Sequence, residues 1–438
     1  MFQHNRKLNS LFVIKRTSEN RVQPRMCALL LLFGLFSGFV PGQPLPKVKA
    51  DLSKLVVVGD SLSANFQNFS LLNTQQPNGY AAMVARQAGV PLVLPLVPYP
   101  GVPNVLQLIS VGPPPVIAPA PGVLPPIPRD NPLEQVTDLA VPGMTLADVL
   151  TKRPDPVIVT PIDAMTNIVL GFPSPFLVPG PALTQIEQAV ALKPTTLIVW
   201  VGNNDALLPA LTGDLTTLTP IESFTASLTA VMDALAATGA SLVTANIPDV
   251  TTIPYLTAVG DVAEDNALPL NILGPLLGVA KGDYLRPGAL PFVEQILLKN
   301  IPGPLPDFCP STIPGYTEVP CVLKAADATT IRSAIELYNS AISKQAKSRK
   351  AEMVDVNKLV DRIHKKGFEA GGKCLNMRFL GGLFSLDGIH PTNTGNAIIA
   401  NEFISEMNHG FNLNIRSVSV DDVANADPLI LPTLVCSK

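Results

Sequence analysis

The chain has 438 residues, 47% of them hydrophobic and 15% charged, with a formal net charge of −3. That length gives one large domain or two ordinary ones, and the apolar fraction excludes a disordered chain. The absence of a basic excess excludes a nucleic-acid binder that works by neutralising phosphates, and 5% aromatics leaves no stacking platform for bases.

Residues 1–42 read as a leader outside the fold. Six basic side chains (Arg6, Lys7, Lys15, Arg16, Arg21, Arg25) and the single acid Glu19 precede an uncharged run, Met26 to Val40. That order is the pattern of a secretory signal, and the run is short for a bilayer span. An uncleaved anchor, or a start at Met26, are the alternatives. Loss of the leader takes the net charge from −3 to −8, which suits a soluble acidic protein.

Short apolar, β-branched runs predict strands at Leu55–Val58, Thr196–Val201, Ser241–Ala245 and Glu352–Val356, with a further strand near Gln135–Val141. Helical patterns lie between them at Tyr80–Ala88, Leu183–Leu192, Ile221–Ala237, Ala328–Lys347 and Thr394–Met407. This alternation predicts a parallel sheet covered by helices on both faces. The expected organisation is one domain over 43–438, interrupted by inserts at 91–132, 153–182 and 251–323. The chain has 45 prolines, about twice the ordinary share, and fourteen of them fall in 91–132. Residues Pro91–Pro128 carry no Asp, Glu, Lys, Arg or His at all. Flexible linkers are polar, so apolar inserts read as packed covers that either extend the core or wall an acyl pocket.

Cys27 leaves with the leader, and Cys309, Cys321, Cys374 and Cys436 remain. An even number in an exported chain suggests two disulfides, with three possible pairings. Cys309–Cys321 would close a short proline-rich loop and Cys374–Cys436 would tether the C-terminal tail; four buried thiols are the alternative. The spacing does not suit zinc.

Four histidines exist, and His4 belongs to the leader. His364 sits in a charged stretch that reads as a solvated helix end. His409 precedes Gly410, a helix stop, where a cation is favourable. His390 differs: it follows Asp387 by three residues in Leu386-Asp-Gly-Ile-His-Pro-Thr, just ahead of a helix. A tight turn of that length sets a carboxylate beside an imidazole, although Asp-x-x-His alone is a weak signal.

Ser61, in Val58-Gly-Asp-Ser-Leu, falls just past the carboxyl end of the first strand, the edge where open α/β sheets bind ligands. A helix starting near Ser61 would aim N–H groups at the serine oxygen; the plain alternative is that Asp60 and Ser61 only cap a helix. Trp200-Val-Gly-Asn-Asn-Asp also follows a strand. Asn204 there offers an amide donor for an oxyanion, while Asp205 fixes the loop. Gly143, in Ala140-Val-Pro-Gly-Met-Thr, can expose its own N–H.

Gly59-Asp-Ser-Leu, Gly143, Gly202-Asn-Asn-Asp and Asp387-Gly-Ile-His resemble, in order, the four blocks of the GDSL (SGNH) ester hydrolases, and Asn246-Ile-Pro-Asp-Val is similar to the same family. The resemblance implies a flavodoxin-like α/β/α sandwich of about five parallel strands. It implies Ser61 as nucleophile, His390 as general base and acid, and Asp387 as its orienter. The oxyanion donors would be the Ser61 N–H, the Gly143 N–H and the Asn204 side chain. Asn203 fills the block's variable position and receives no role. Ser63-Ala-Asn-Phe departs from the acidic or glycine-containing turn of many relatives. The expected protein is an exported, monomeric serine esterase without metal or cofactor, binding no nucleic acid and having no stable membrane span after loss of the leader. The uncharged inserts favour an apolar acyl chain, hence a lipase or acylhydrolase. A polysaccharide acetyl esterase, or a non-catalytic surface-binding protein on the same fold, are the alternatives.

Overall fold

Leu55–Gly59, Thr196–Trp200, Ser241–Ala245 and Glu352–Val354 form a parallel sheet in that spatial order. A computed structural model describes residues 49–112 and 115–436; the expected leader lies outside the described residues. The first two strands are buried along their whole length, which is why they read as unbroken apolar runs rather than an alternation. The strand period sends successive side chains to opposite faces. Val56, Val58, Leu197 and Val199 join a core with helices Leu146–Thr151, Gln185–Ala191, Ile221–Ala236 and Ala325–Ser348. Leu55, Val57, Ile198 and Trp200 face the other way, onto helices Tyr80–Ala88, Val356–Lys366 and Asn393–Phe411. The result is a three-layer α/β/α sandwich.

The strand expected near Gln135–Val141 is reduced to one parallel bridge, Val57 to Asp138. Its backbone does follow the open edge of Leu55–Gly59: Val57 N donates to Thr137 O, Leu139 N to Val57 O, and Val141 N to Gly59 O. The amides of Thr137 and Asp138, however, both turn to Val93 O, and the ladder stops there. The sheet therefore has four strands plus this edge segment, and the first strand lies between the edge segment and Thr196–Trp200. That is the switch-point arrangement, which opens a crevice at the carboxyl ends.

The inserts are ordered. Residues 91–132 contain an antiparallel hairpin, Leu106–Ser110 with Val116–Pro119. Residues 153–182 contain helix Pro161–Leu170, begun by a Thr160–Asp163 capping box. The third insert has its own core around Val259, Leu273, Leu285 and Ile296. Fully buried Arg286 fastens it to the sandwich by donating to Ala210 O, and donates within the insert to Pro320 O. Cys309–Cys321 and Cys374–Cys436 are the two disulfides. One helix end differs from expectation. The last long helix runs through Gly410 to Phe411 and stops at left-handed Asn412; the Glu352 side chain packs where a Cβ on Gly410 would stand.

Candidate active site

The exit from the first strand is narrow. A Cβ at Gly59 would lie 2.8 Å from Trp200 O, so only glycine lets the neighbouring strand end pass. Gln185 grips Gly59 from both sides, its Oε1 accepting from Gly59 N and its Nε2 donating to Gly59 O. Ser61 follows in a turn, not in the helix that the sequence suggested. Ala64 N donates to Asp60 O and Phe66 N to Ser61 O, and left-handed Asn65 (φ 51°) then ends the turn. Asp60 is fully buried and accepts from Leu62 N at 3.1 Å and from Asn203 Nδ2 at 2.8 Å. Burial pushes its carboxyl up to about 6, against those two donors and the charge of His390.

Asp387 and His390 share a tight turn closed by Ser385 N to His390 O at 2.8 Å. The Asp387 carboxylate is saturated. Oδ1 accepts from the amides of Ile389 and His390, both at 2.8 Å. Oδ2 accepts from Phe69 N at 2.8 Å and faces His390 Nδ1 at 3.0 Å. Burial alone would raise this carboxyl, but the charge and ring N–H of His390 and the two turn amides outweigh it, and it stays below its ordinary value. An ionised acceptor at that distance puts the proton on Nδ1, which leaves Nε2 as the basic nitrogen. The Phe66 ring packs edge-on against the imidazole, centroids 5.1 Å apart.

Ser61 and His390 line the same cavity at the carboxyl ends of the strands. Its other walls are mostly apolar, including Leu62, Trp200, Val250, Ile253 and Ile389. Asn203 also lines it; this residue is buried, and its Oδ1 has no partner among the described residues.

Gly143 adopts φ +86°, a conformation that favours glycine. Among the described residues neither its N–H nor that of Ser61 donates to a protein acceptor. Asn204 Nδ2 donates to Met144 O at 2.9 Å, which holds the amide one residue from Gly143. Val141 N to Gly59 O ties that same turn to the strand carrying Ser61. Asp205 Oδ2 accepts from Leu146 N at 3.0 Å, so it fixes the loop.

One group of contacts had no sequence signal. Residues 65–69 lie across the His390 turn as a strap. Asn68 N donates to Ser385 Oγ, Asn68 Oδ1 accepts from Leu386 N, Gln67 Nε2 donates to Pro391 O, and Asn65 Oδ1 accepts from Asn396 Nδ2. The Ser63-Ala-Asn-Phe departure is the beginning of this strap. Among the described residues, inserts 91–132 and 153–182 contribute nothing to the walls of the Ser61 cavity. They meet each other instead, with the Arg129 guanidinium over the Phe172 ring.

A family model described as GDSL-like lipase/acylhydrolase matches residues 55–403, and the chain belongs to that family. It is thus an ester hydrolase by family. Solved structures that resemble it include a lipase/acylhydrolase from Enterococcus faecalis (10% identity, 83% of this chain and 100% of that one, TM-score 0.34). An acetylxylan esterase from Geobacillus stearothermophilus matches at 12% identity over 82% and 96% of the two chains, TM-score 0.35. A phospholipase A1 from Streptomyces albidoflavus matches at 13% over 81% and 100%, TM-score 0.35. No curated protein matches.

Proposed function

We propose that this chain is an exported serine carboxylic ester hydrolase acting through an acyl-Ser61 intermediate. His390 Nε2 takes the proton from Ser61 Oγ as the oxygen attacks the ester carbonyl. Asp387 holds the ring's tautomer and stabilises the imidazolium. The N–H groups of Ser61 and Gly143 and the remaining Asn204 amide hydrogen receive the oxyanion. The tetrahedral adduct then breaks its bond to the alcohol oxygen, and that oxygen leaves with the proton from His390. Water, deprotonated by the same nitrogen, releases the acid and restores Ser61. The walls of the Ser61 cavity suit an apolar acyl group. The protein acts as a monomer and without metal or cofactor.

The observation that carries this reading is the meeting of Ser61 and the Asp387-bound His390 at one cavity. Export is supported by the two disulfides and by the leader pattern; among the described residues no helix is long and apolar enough to cross a membrane. Purified Ser61→Ala should lose p-nitrophenyl ester turnover on the order of 10⁶-fold with an unchanged circular dichroism spectrum. Wild-type turnover in that variant would refute the assignment.

A further inference from the structure

Beside the Ser61 cavity lies a much larger one, of about 790 Å³ against about 80 Å³, and Ile253 lines both. The larger volume falls within the range of ligand pockets. Its walls come from the third insert, from His364 and from residues 376–379. The loop between the two cavities is fastened to the turn of the histidine: Tyr255 N donates to Gly388 O at 2.8 Å, and a Cβ on Gly388 would lie 2.9 Å from Tyr255 N. The large cavity therefore stands on the imidazole side of the centre. In acyl transfer the imidazole protonates the departing oxygen, so the alcohol half of the ester lies on that side. At about 80 Å³ against about 790 Å³, the small cavity suits the smaller half of the ester, the acyl group.

The chemistry of the large cavity narrows the alcohol. Asp261, Asp265 and Glu294 line it, and Arg378 is its one Lys or Arg. Arg378 is already occupied, pairing with Asp265 at 2.6 Å, Glu264 at 2.9 Å and Asp261 at 3.4 Å. Among the described residues His364 is the one other basic side chain on the wall, set against three carboxylates, and the carboxylates accept hydrogen bonds from hydroxyl or ammonium groups. Leu297 and Met377 supply apolar wall.

We propose that the large cavity is the subsite for the alcohol half of the substrate. It takes a bulky alcohol that presents hydrogen-bond donors and no negative charge, esterified with a short acyl group. This inference rests on the Ser61 reading, and the test separates the two. Glu294 and Leu298 are exposed on the cavity wall. Glu294→Trp, with Leu298→Trp as a second blocking variant, is assayed on p-nitrophenyl acetate, on methyl 6-O-acetylglucoside, whose three free hydroxyls are donors, and on the acetate ester of glycerol 3-phosphate. The expected result is kcat/KM on p-nitrophenyl acetate within about twofold of wild type and a loss of about tenfold or more on methyl 6-O-acetylglucoside. Wild type is expected to use the anionic ester about tenfold less well than the neutral one, a gap that Glu294→Lys narrows. Binding of methyl 6-O-acetylglucoside to Ser61→Ala protein, followed by calorimetry, should weaken equally when Glu294→Trp is added. Equal loss on both neutral esters, no loss on either, or a preference for the anionic ester would overturn the proposal. Full activity of Ser61→Ala would instead overturn the nucleophile assignment and leave the calorimetric result to decide the subsite.

Discussion

Asp387 has four hydrogen-bond donors around two oxygens, and three of them are backbone amides fixed by the fold. A carboxylate so enclosed cannot rotate, so the imidazole it faces has one orientation and one tautomer. Asp387→Asn keeps the size of the side chain but loses the charge that opposes the imidazolium. Turnover of p-nitrophenyl esters should fall on the order of 10⁴-fold with the melting temperature little changed. A fall of less than tenfold would remove Asp387 from the mechanism. Asp387 and His390 were legible in the sequence because their pairing is local, three residues apart in one turn. Asn203 was not. It stands at a position where the family pattern is indifferent, and its partner Asp60 is 143 residues away.

The strap over residues 65–69 shows the same limit for a whole element. Its partners lie 317 to 331 residues ahead, and no local pattern reports such pairing. Asn65, Asn68 and Phe69 are all left-handed, at φ 51°, 52° and 58°, and Asn68 also supplies a buried side-chain acceptor for Leu386 N. Asn68→Ala leaves that amide without its partner, at a cost of ~1–3 kcal/mol, and puts alanine in a left-handed backbone, at a further ~1–2 kcal/mol. Denaturant unfolding should show that loss, and a shifted His390 turn should lower kcat by about ten- to a hundredfold. Asn68→Gly, which keeps the backbone conformation, should recover part of the stability. Unchanged stability and kcat in Asn68→Ala would show that the strap does not hold the turn. The strands were readable because burial on both faces leaves unbroken apolar runs. The edge segment at 135–141 misled for the same reason: its composition suits a strand, but Val93 O takes the amides a longer ladder would need.

At the scale of the molecule, three carboxyls are buried around the sheet end. Burial raises Asp60 and Asp205 to about 6 and Asp138 to about 7. A carboxyl raised by folding binds its proton more tightly in the native state. Its stabilising contribution is complete below the unfolded value near 4 and is lost as pH rises through the native value. The protein should therefore weaken between pH 4 and pH 7 from these groups. Asp138→Asn, away from Ser61 and His390, should be more stable than wild type at pH 7.5 by ~1–3 kcal/mol and gain nothing at pH 4. Urea unfolding at the two pH values reads this, and equal effects at both would contradict the shift. The apolar inserts were visible in composition, but composition does not say which faces they cover. Two of them meet at Arg129 and Phe172, away from the walls of the Ser61 cavity, and only the third reaches it, through Ile253.

The central claim is that Ser61 is an activated nucleophile. Native protein treated with a fluorophosphonate probe, then digested and sequenced by mass spectrometry, tests it directly. One adduct on Ser61, abolished in His390→Ala, is the predicted result; no labelling, or an adduct on another residue, would contradict it.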